Sequence, residues 1–448
     1  MNPTGIAKNM NLNNVAGLGQ LAESVDRLDD SRNAVIANTG SSGVVHSLSE
    51  SRVKNRLLND ITSSGNSHMT TSSDHQFGPD HLRPLTPYPP GLTEAQIAKK
   101  YGIPEEGIVK LASNENPLGM SRLAKVAIRD FIEGKDAGRY PDDTGLAVKQ
   151  ALVENFGLPH DANPFDWITL GAGSSEIIGM LVKGLSGGPK DSVMYSQHSF
   201  ALYPLHTKTN NATPIEVPAN GFGHDLDAML KALTPETKLI FVANPNNPTG
   251  TFIPEEKIKN FLNKVPKDVV VVLDEAYSEY VKPEDKINSS ALVLEHDNLA
   301  VLKTFSKAYG LANLRIGYCV AQPKLTKALN KGVVRPPFNT SAVAQKAAIA
   351  ALGDQQFLKD TVALNTAGYE QLTQAFNELG LDYQPSQANF VLVKVGDDPQ
   401  ASKRIDEKLK QQGVIVRQAG FPHHLRVSIG KKEENDAFIA ALKKALTN

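Results

Sequence analysis

The chain reads as an α/β protein, with a large domain built on a mostly parallel sheet and a smaller α+β domain after it. Three segments carry that reading. Residues 238–250, KLIFVANPNNPTG, are an apolar run, Leu239 to Ala243, that breaks into Asn and Pro. Residues 269–277, VVVVLDEAY, are a β-branched run that ends at Asp274 and Tyr277. Residues 299–317, LAVLKTFSKAYGLANLRIG, pass from an apolar run into a polar cluster and then a Gly-punctuated stretch. Near-continuous apolar strands joined by crossovers mark a parallel sheet covered on both faces. The stretch Pro254 to Lys264, with Ile258, Phe261 and Leu262 at helical spacing, supplies one crossover.

The other elements follow in order. Residues 1–80 are rich in Asn, Ser and Gly. Leu18, Leu21, Val25 and Leu28 give one brief helical period, and Val53, Leu57, Leu58 and Ile61 another. Neither sustains a core, so a largely disordered low-complexity extension is expected. It has no apolar signal core, and Asp26, Asp29 and Asp30 are unlike a transit peptide. Residues 81–112 form a Pro-rich N-terminal arm, and 113–332 the large domain. There a Gly-rich turn at Ala172 to Ser174 feeds a helix from Ser175 to Leu185. Residues 333–448 form the small domain: a helix around Ser341 to Leu352, another near Phe357 to Leu379, strands ANFVLV and VIVR, and a final amphipathic helix.

Composition narrows the function. The formal net charge is −1, which gives no argument for nucleic acid or an anionic membrane surface. The one cysteine, Cys319, excludes an intramolecular disulfide and fits a buried core thiol in IGYCVA. His423 and His424 are adjacent and no histidines fall at ligand spacing, so no metal is expected. No apolar stretch is long enough to span a bilayer. A cytoplasmic enzyme acting on small molecules is the expectation.

Ligands of parallel sheets bind at the carboxyl ends of the strands. Asn247, Asp274 with Tyr277, and Thr304, Ser306 and Lys307 all follow such ends and should share one crevice. A lysine beside a hydroxyl and near Arg315 suits pyridoxal 5'-phosphate: the amine takes the aldehyde, and hydroxyl and guanidinium take the phosphate. A carboxylate such as Asp274 keeps the pyridine nitrogen protonated, so the ring accepts electrons. Asn247 and Tyr277 can hydrogen-bond the ring oxygen. Each residue alone is also an ordinary strand-end polar group; their order and spacing carry the reading.

With these segments in view the sequence resembles the pyridoxal-phosphate-dependent aminotransferases of the aspartate aminotransferase fold (fold type I), most of all the histidinol-phosphate aminotransferase family. The likeness runs from about Leu82 to the C-terminus. It includes LTPYPPG at 85–91, IVKLASNENPLGMS at 108–121, GRYPDDTG at 138–145, WITLGAGSSE at 167–176, YSQHSFALYPL at 195–205 and LRVSIG at 425–430. The resemblance implies that Lys307 is the catalytic lysine and Asp274 the partner of the pyridine nitrogen. Asn247 and Tyr277 would hold the ring oxygen, and Phe200 would stack on the ring. Ser306 and Arg315 would bind the cofactor phosphate, with Thr304 beside them and backbone groups of Ala172, Gly173 and Ser174 at a helix N-terminus. Tyr140 would reach the cofactor phosphate of a second subunit, making the homodimer part of the site. On the substrate side it implies Tyr88, Asn116, Arg417 for a phosphate or a side-chain carboxylate, and Arg426 for the α-carboxylate.

The implied reaction is transamination from histidinol phosphate to 2-oxoglutarate, in histidine biosynthesis. An aromatic amino acid aminotransferase is the alternative, because the same pocket accepts a flat ring without the phosphate. A phospho-amino-acid decarboxylase would share the cofactor residues, but an α-carboxylate clamped at Arg426 is protected from loss. A cofactor-sensing transcriptional regulator would need a DNA-binding helix pair that residues 1–80 lack.

Overall fold

The computed structural model describes residues 78–88, 91–159, 161–330 and 334–447. The expected low-complexity extension lies, up to residue 77, outside the described residues. After a short strand β1 (Val109–Lys110) come β2 (Ile168–Gly171), β3 (Ser192–Ser196), β4 (Thr213–Val217), β5 (Thr237–Ala243), β6 (Val270–Asp274), β7 (Leu299–Thr304) and β8 (Gly317–Ala321). The last seven form one sheet in the order β2-β8-β7-β6-β5-β3-β4. All its pairings are parallel except those of β8, which runs against β2 and β7. The three segments singled out from sequence are the neighbours β5, β6 and β7.

The strands are apolar on both sides because both sides are covered. Ile240, Val242, Val271, Leu273, Val301 and Val320 face one buried cluster. Leu239, Phe241, Val272, Ala300, Leu302 and Cys319 face another. Each of the Val, Leu, Ile and Phe side chains among them, taken fully out of water, contributes about 1.5–3 kcal/mol before entropy is counted. The expected crossover helix is Glu255–Lys264, with Pro254 as its N-cap and Ile258, Phe261 and Leu262 buried.

The remaining strands are β9 (Tyr383–Gln384), β10 (Phe390–Lys394), β11 (Val414–Ile415), β12 (Arg417–Gln418) and β13 (His424–Ser428). A four-stranded sheet has the order β12-β13-β10-β9 and is antiparallel throughout. The expected strand VIVR is in fact divided. Val414–Ile415 pairs in parallel with β1, while Arg417–Gln418 turns to pair with β13. Two short strands thus serve two sheets.

The packing also moves the expected domain boundary at 333. Helix Ala342–Gly353 is capped by Ser341, whose side chain accepts from the Ala344 N–H. Its buried face, Ala344, Ala347, Ala348 and Ala351, joins the large-domain core with Ala124, Val148 and Leu152. Small alanine faces let helices approach closely, so this helix packs on Arg122–Glu133. The change of partner comes inside helix Gln355–Glu378: Leu358 packs on the large-domain core, whereas Leu372 and Phe376 join the core with Val391, Val427 and Phe438. Leu111, from the expected N-terminal arm, belongs to that second core as well.

Candidate active site

Parallel strands bring their carboxyl ends to one edge. In the order β7-β6-β5-β3 those ends deliver Lys307, Asp274, Asn247 and Phe200 side by side. The reversed strand β8 begins at the same edge, which places Arg315, two residues before it, beside them. The edge opens into a cavity of about 370 Å³. It is lined by Tyr88, Ser174, Phe200, Asn247, Asp274, Tyr277, Thr304, Ser306, Lys307, Arg315, Arg417 and Arg426, among others.

Asp274 is buried at 4% exposure. Its Oδ1 accepts the Ala276 N–H at 3.2 Å and its Oδ2 accepts the Tyr203 hydroxyl at 2.7 Å. Burial pushes its pKa up to about 6, against the pull of those two donors. Among the described residues no cation pairs with it. A buried carboxylate held only by neutral donors is an incomplete ion pair. Tyr277 is buried against Phe390, and its phenol oxygen accepts from Asn114 Nδ2 at 3.0 Å. Burial lifts that phenol to about 12, so it stays protonated and can donate.

The Lys307 amine donates to the Ser113 carbonyl at 3.0 Å. Burial, and then the nearby Arg426 charge, lower its pKa to about 8; Glu115 opposes and Arg315 assists. Arg315 adopts a left-handed backbone, φ 54°, and its guanidinium donates to Ser306 Oγ at 3.4 Å, to the Ala312 carbonyl at 2.9 Å and to the Ala172 carbonyl at 3.3 Å. Gly173 has φ 81°, and a Cβ there would stand 2.3 Å from Arg315 Nη2. That close approach explains the glycine. Thr304 Oγ1 accepts the Ser306 N–H at 3.1 Å, which fixes the turn before the lysine.

The helix at the phosphate end begins at Ser174, one residue earlier than expected. The Ala172 N–H donates to Glu176 Oε2 at 2.7 Å, and the Gly173 N–H to the Gly171 carbonyl at 2.7 Å. Those two expected donors are therefore spent. The first-turn N–H groups, from Ser174 and Ser175, have no intrahelical partner and remain for an anion. Both residues line the cavity.

The substrate side divides the same way. Arg417 and Arg426 are direct cross-strand partners on β12 and β13, so their side chains leave the same face. Arg426 donates to Asn247 Oδ1 at 2.7 Å and to the Ala112 carbonyl at 2.5 Å, while its buried Nε has no partner among the described residues. The Arg417 guanidinium lies 5.6 Å from the centroid of the Tyr88 ring. Asn116 is not in the cavity. Its Nδ2 donates to the Ala308 carbonyl at 2.8 Å and to Thr361 Oγ1 at 3.0 Å, and its Oδ1 accepts the Leu118 N–H at 2.9 Å. Asn114, two residues earlier, lines the cavity instead. Tyr140 is outside it too: the residue is 82% exposed and its ring stacks on Phe338 at 4.6 Å. The sequence reading missed Asn114, Ser175 and Tyr203. The first two lie within one or two residues of the chosen positions, where spacing cannot set the register. Tyr203 had only its place in YSQHSFALYPL to mark it.

An amine of lowered pKa, a buried carboxylate wanting a cation, and a helix N-terminus beside Arg315 fit pyridoxal 5'-phosphate at its aldehyde, ring nitrogen and phosphate respectively. The model of the family described as aminotransferase class I and II matches residues 106–442. The chain belongs to that family. This aminotransferase is 53% identical over 374 residues to histidinol-phosphate aminotransferase 2 of Ralstonia nicotianae, covering 83% of this chain and 97% of the relative. To histidinol-phosphate aminotransferase 1 of Cupriavidus pinatubonensis it is 52% identical over 373 residues, 83% of this chain and 96% of that one. Such identity places it among the histidinol-phosphate aminotransferases within the class. The crystal structure of histidinol-phosphate aminotransferase from Sinorhizobium meliloti in complex with pyridoxal-5'-phosphate superposes with a TM-score of 0.75 at 28% identity, over 85% of this chain and 99% of that one. Aspartate aminotransferase of Thermus thermophilus, in complex with maleate, shares the fold, with a TM-score of 0.69 at 22% identity over 83% of this chain and 99% of that one. This aminotransferase uses pyridoxal phosphate on the aspartate aminotransferase fold. No described helix is long and apolar enough to cross a membrane, and the described residues hold no cluster that could bind a metal ion.

Proposed function

We propose that this aminotransferase moves the amino group of histidinol phosphate to 2-oxoglutarate, giving imidazole acetol phosphate and glutamate in histidine biosynthesis. The enzyme works as a cytoplasmic homodimer with shared sites. Bound pyridoxal phosphate supplies an aldehyde for the donor's amine and a ring that accepts the electron pair of the broken Cα–H bond.

The protein's own residues do the rest. Lys307 would hold the cofactor and, once its amine is free, would take the proton from the donor Cα and carry it for return. An amine whose pKa lies near 8 is a far better base at neutral pH than an ordinary lysine. Asp274 supplies the negative charge opposite the ring nitrogen. Asn247 and Tyr277 offer their amide and hydroxyl protons to the ring oxygen. Ser174, Ser175, Ser306 and Arg315 seat the cofactor phosphate. Tyr88 shields the guanidinium of Arg417.

One observation carries the choice of donor: the cross-strand pairing of Arg417 and Arg426 over a single cavity. Two like charges placed together repel, and Arg417 helps to lower the Arg426 pKa after burial has done so. A phosphate dianion neutralises both. Glutamate, with two carboxylates, answers them as a pair, its α-carboxylate at Arg426 and its side-chain carboxylate at Arg417, whereas an aromatic amino acid with its single carboxylate leaves one arginine unanswered. The test is a half-reaction screen, in which the cofactor-loaded enzyme meets single amino donors and the loss of the cofactor's bound-form absorbance is followed. Histidinol phosphate and glutamate should each discharge it. Discharge by phenylalanine or tyrosine as fast as by histidinol phosphate would overturn the assignment in favour of an aromatic aminotransferase.

A further inference from the structure

Tyr203 has no part in the roles assigned above, yet it makes the shortest contact to the catalytic carboxylate. It lies in the first turn of helix Leu202–Thr209, just after β3 and Phe200. Its ring is fully buried, stacked on Phe241 at 4.5 Å and 7°, and met edge-on by Phe200 at 5.8 Å. The Tyr203 N–H donates to the Phe200 carbonyl at 3.0 Å. Ring and backbone are therefore both fixed. The hydroxyl has one described partner, Asp274 Oδ2, at 2.7 Å.

We propose that Tyr203 is a positioning residue for Asp274: by donating to Oδ2 while the Ala276 N–H holds Oδ1, it keeps the carboxylate charged and turned toward the cofactor's ring nitrogen. The electrostatics agree. Burial is the largest influence on Asp274 and favours its neutral form, Glu275 adds to that, and Tyr203 is the largest influence opposing it. The phenol is itself buried with its pKa held well above the ordinary value, so it remains a donor and never a competing anion. A hydrogen bond from a neutral donor to a buried carboxylate is worth most when the charge is unpaired, and it leaves the carboxylate's remaining lone pairs for the ring.

The proposal rests on the pairing of Asp274 with the ring nitrogen and is independent of which amino donor is used. The test compares pyridoxamine phosphate with its 1-deaza analogue, which carries a C–H in place of the ring nitrogen. Neither needs a covalent bond to Lys307, and both are titrated into cofactor-free protein by calorimetry. Tyr203→Phe should weaken pyridoxamine phosphate roughly ten- to a hundredfold and leave the deaza analogue within about threefold. Equal weakening of both ligands would mean a purely structural role and would overturn the proposal. So would no change in either. Asp274→Asn, titrated alongside, must abolish the preference for the pyridine nitrogen; if it does not, the Asp274 pairing itself is wrong, and the inference falls with it. Should Tyr203→Phe fail to fold, Tyr203→His keeps a ring and a donor. It should retain the preference for the pyridine nitrogen, and loss of that preference counts against the proposal.

Discussion

Lys303 and Lys307 stand four residues apart at the end of β7, and their surroundings drive them in opposite directions. Burial alone would lower Lys303, but Glu279 and Glu275 outweigh it and hold the amine firmly charged. Its Nζ lies 3.2 Å from Glu275 and 3.6 Å from Glu279, and donates to Ser278 Oγ at 2.5 Å. Lys307 has two arginines near it, and one opposing carboxylate, and falls to about 8. One lysine is a paired structural cation; the other is the amine proposed to hold the cofactor.

A first prediction follows from the sign of that shift. A lysine of lowered pKa loses its proton earlier as pH rises, so its free amine becomes the major form above about 8, where an ordinary lysine is still charged. Capture of pyridoxal phosphate by cofactor-free protein should therefore rise with pH through a midpoint near 8. Arg426→Gln should move the midpoint upward. After borohydride reduction, peptide mapping should find the adduct on Lys307 and none in Lys307→Ala. Lys303→Met should keep the adduct on Lys307 while losing about 3–5 kcal/mol of stability, because two buried carboxylates lose their cation. An adduct on Lys303 would overturn the assignment.

The second prediction concerns Asp274. Asp274→Asn preserves size and keeps one accepting oxygen, for either the Ala276 N–H or the Tyr203 hydroxyl, but removes the charge. Turnover should fall about 10²–10³-fold, as when one preorganised electrostatic partner of the transition state is lost. Cofactor should still bind through its phosphate. Near-normal single-turnover rates would show that the charge is not used.

These two residues were legible in the sequence because strand ends announce themselves. An apolar run that stops at Asp274 or at Ser306–Lys307 states both where the strand ends and which edge it faces. Asn114 and Asn116 were not separable in that way. SNENPLG has no periodicity, and the choice is made by tertiary contacts: Asn114 turns at φ 55° to meet Tyr277, while Asn116 satisfies Ala308 and Thr361. Helix Ala342–Gly353 shows the same limit at fold level. Its alanine-rich face is apolar nearly all round, so pattern alone cannot say which core it joins.

The third prediction separates the two cavity arginines. Arg417→Ala should raise KM for histidinol phosphate by roughly 30- to 150-fold, the equivalent of about 2–3 kcal/mol for a desolvated charge-assisted contact. KM for phenylalanine should move by less than about threefold. Steady-state kinetics with both donors decides it, and equal effects would remove phosphate recognition from this residue.

The hairpin that carries those arginines should matter in its own right. Phe421, in its loop, is buried against His198 at 4.6 Å and Phe222 at 5.5 Å, and Phe222 also meets His424 at 5.1 Å. Phe421→Ala removes the ring that ties the loop to the segments after β3 and β4. We expect about 3 kcal/mol or more of lost stability and a raised KM for histidinol phosphate. Phe421→Leu should restore much of both. A variant destabilised by that amount with an unchanged KM would show that the loop does not set the position of Arg417.

The last prediction concerns Tyr140, a residue 82% exposed whose ring nonetheless stacks on that of Phe338, itself 49% exposed. Two large aromatic rings stacked in the open form an apolar surface that a second copy would cover. If Tyr140 then reaches the partner's cofactor phosphate, each site draws its lysine from one chain and its tyrosine from the other. A Tyr140→Phe homodimer loses one phosphate contact at both sites and should load poorly at limiting cofactor. A Lys307→Ala homodimer should be inactive. Mixed through unfolding and refolding, the two chains form a heterodimer in which one site carries both lesions and the other carries neither. At limiting cofactor, activity should therefore rise above that of either parent, toward half of the wild-type value per dimer if the intact site works independently. If lysine and tyrosine belonged to the same chain, every site in the mixture would keep one lesion, and verified heterodimers would show no gain.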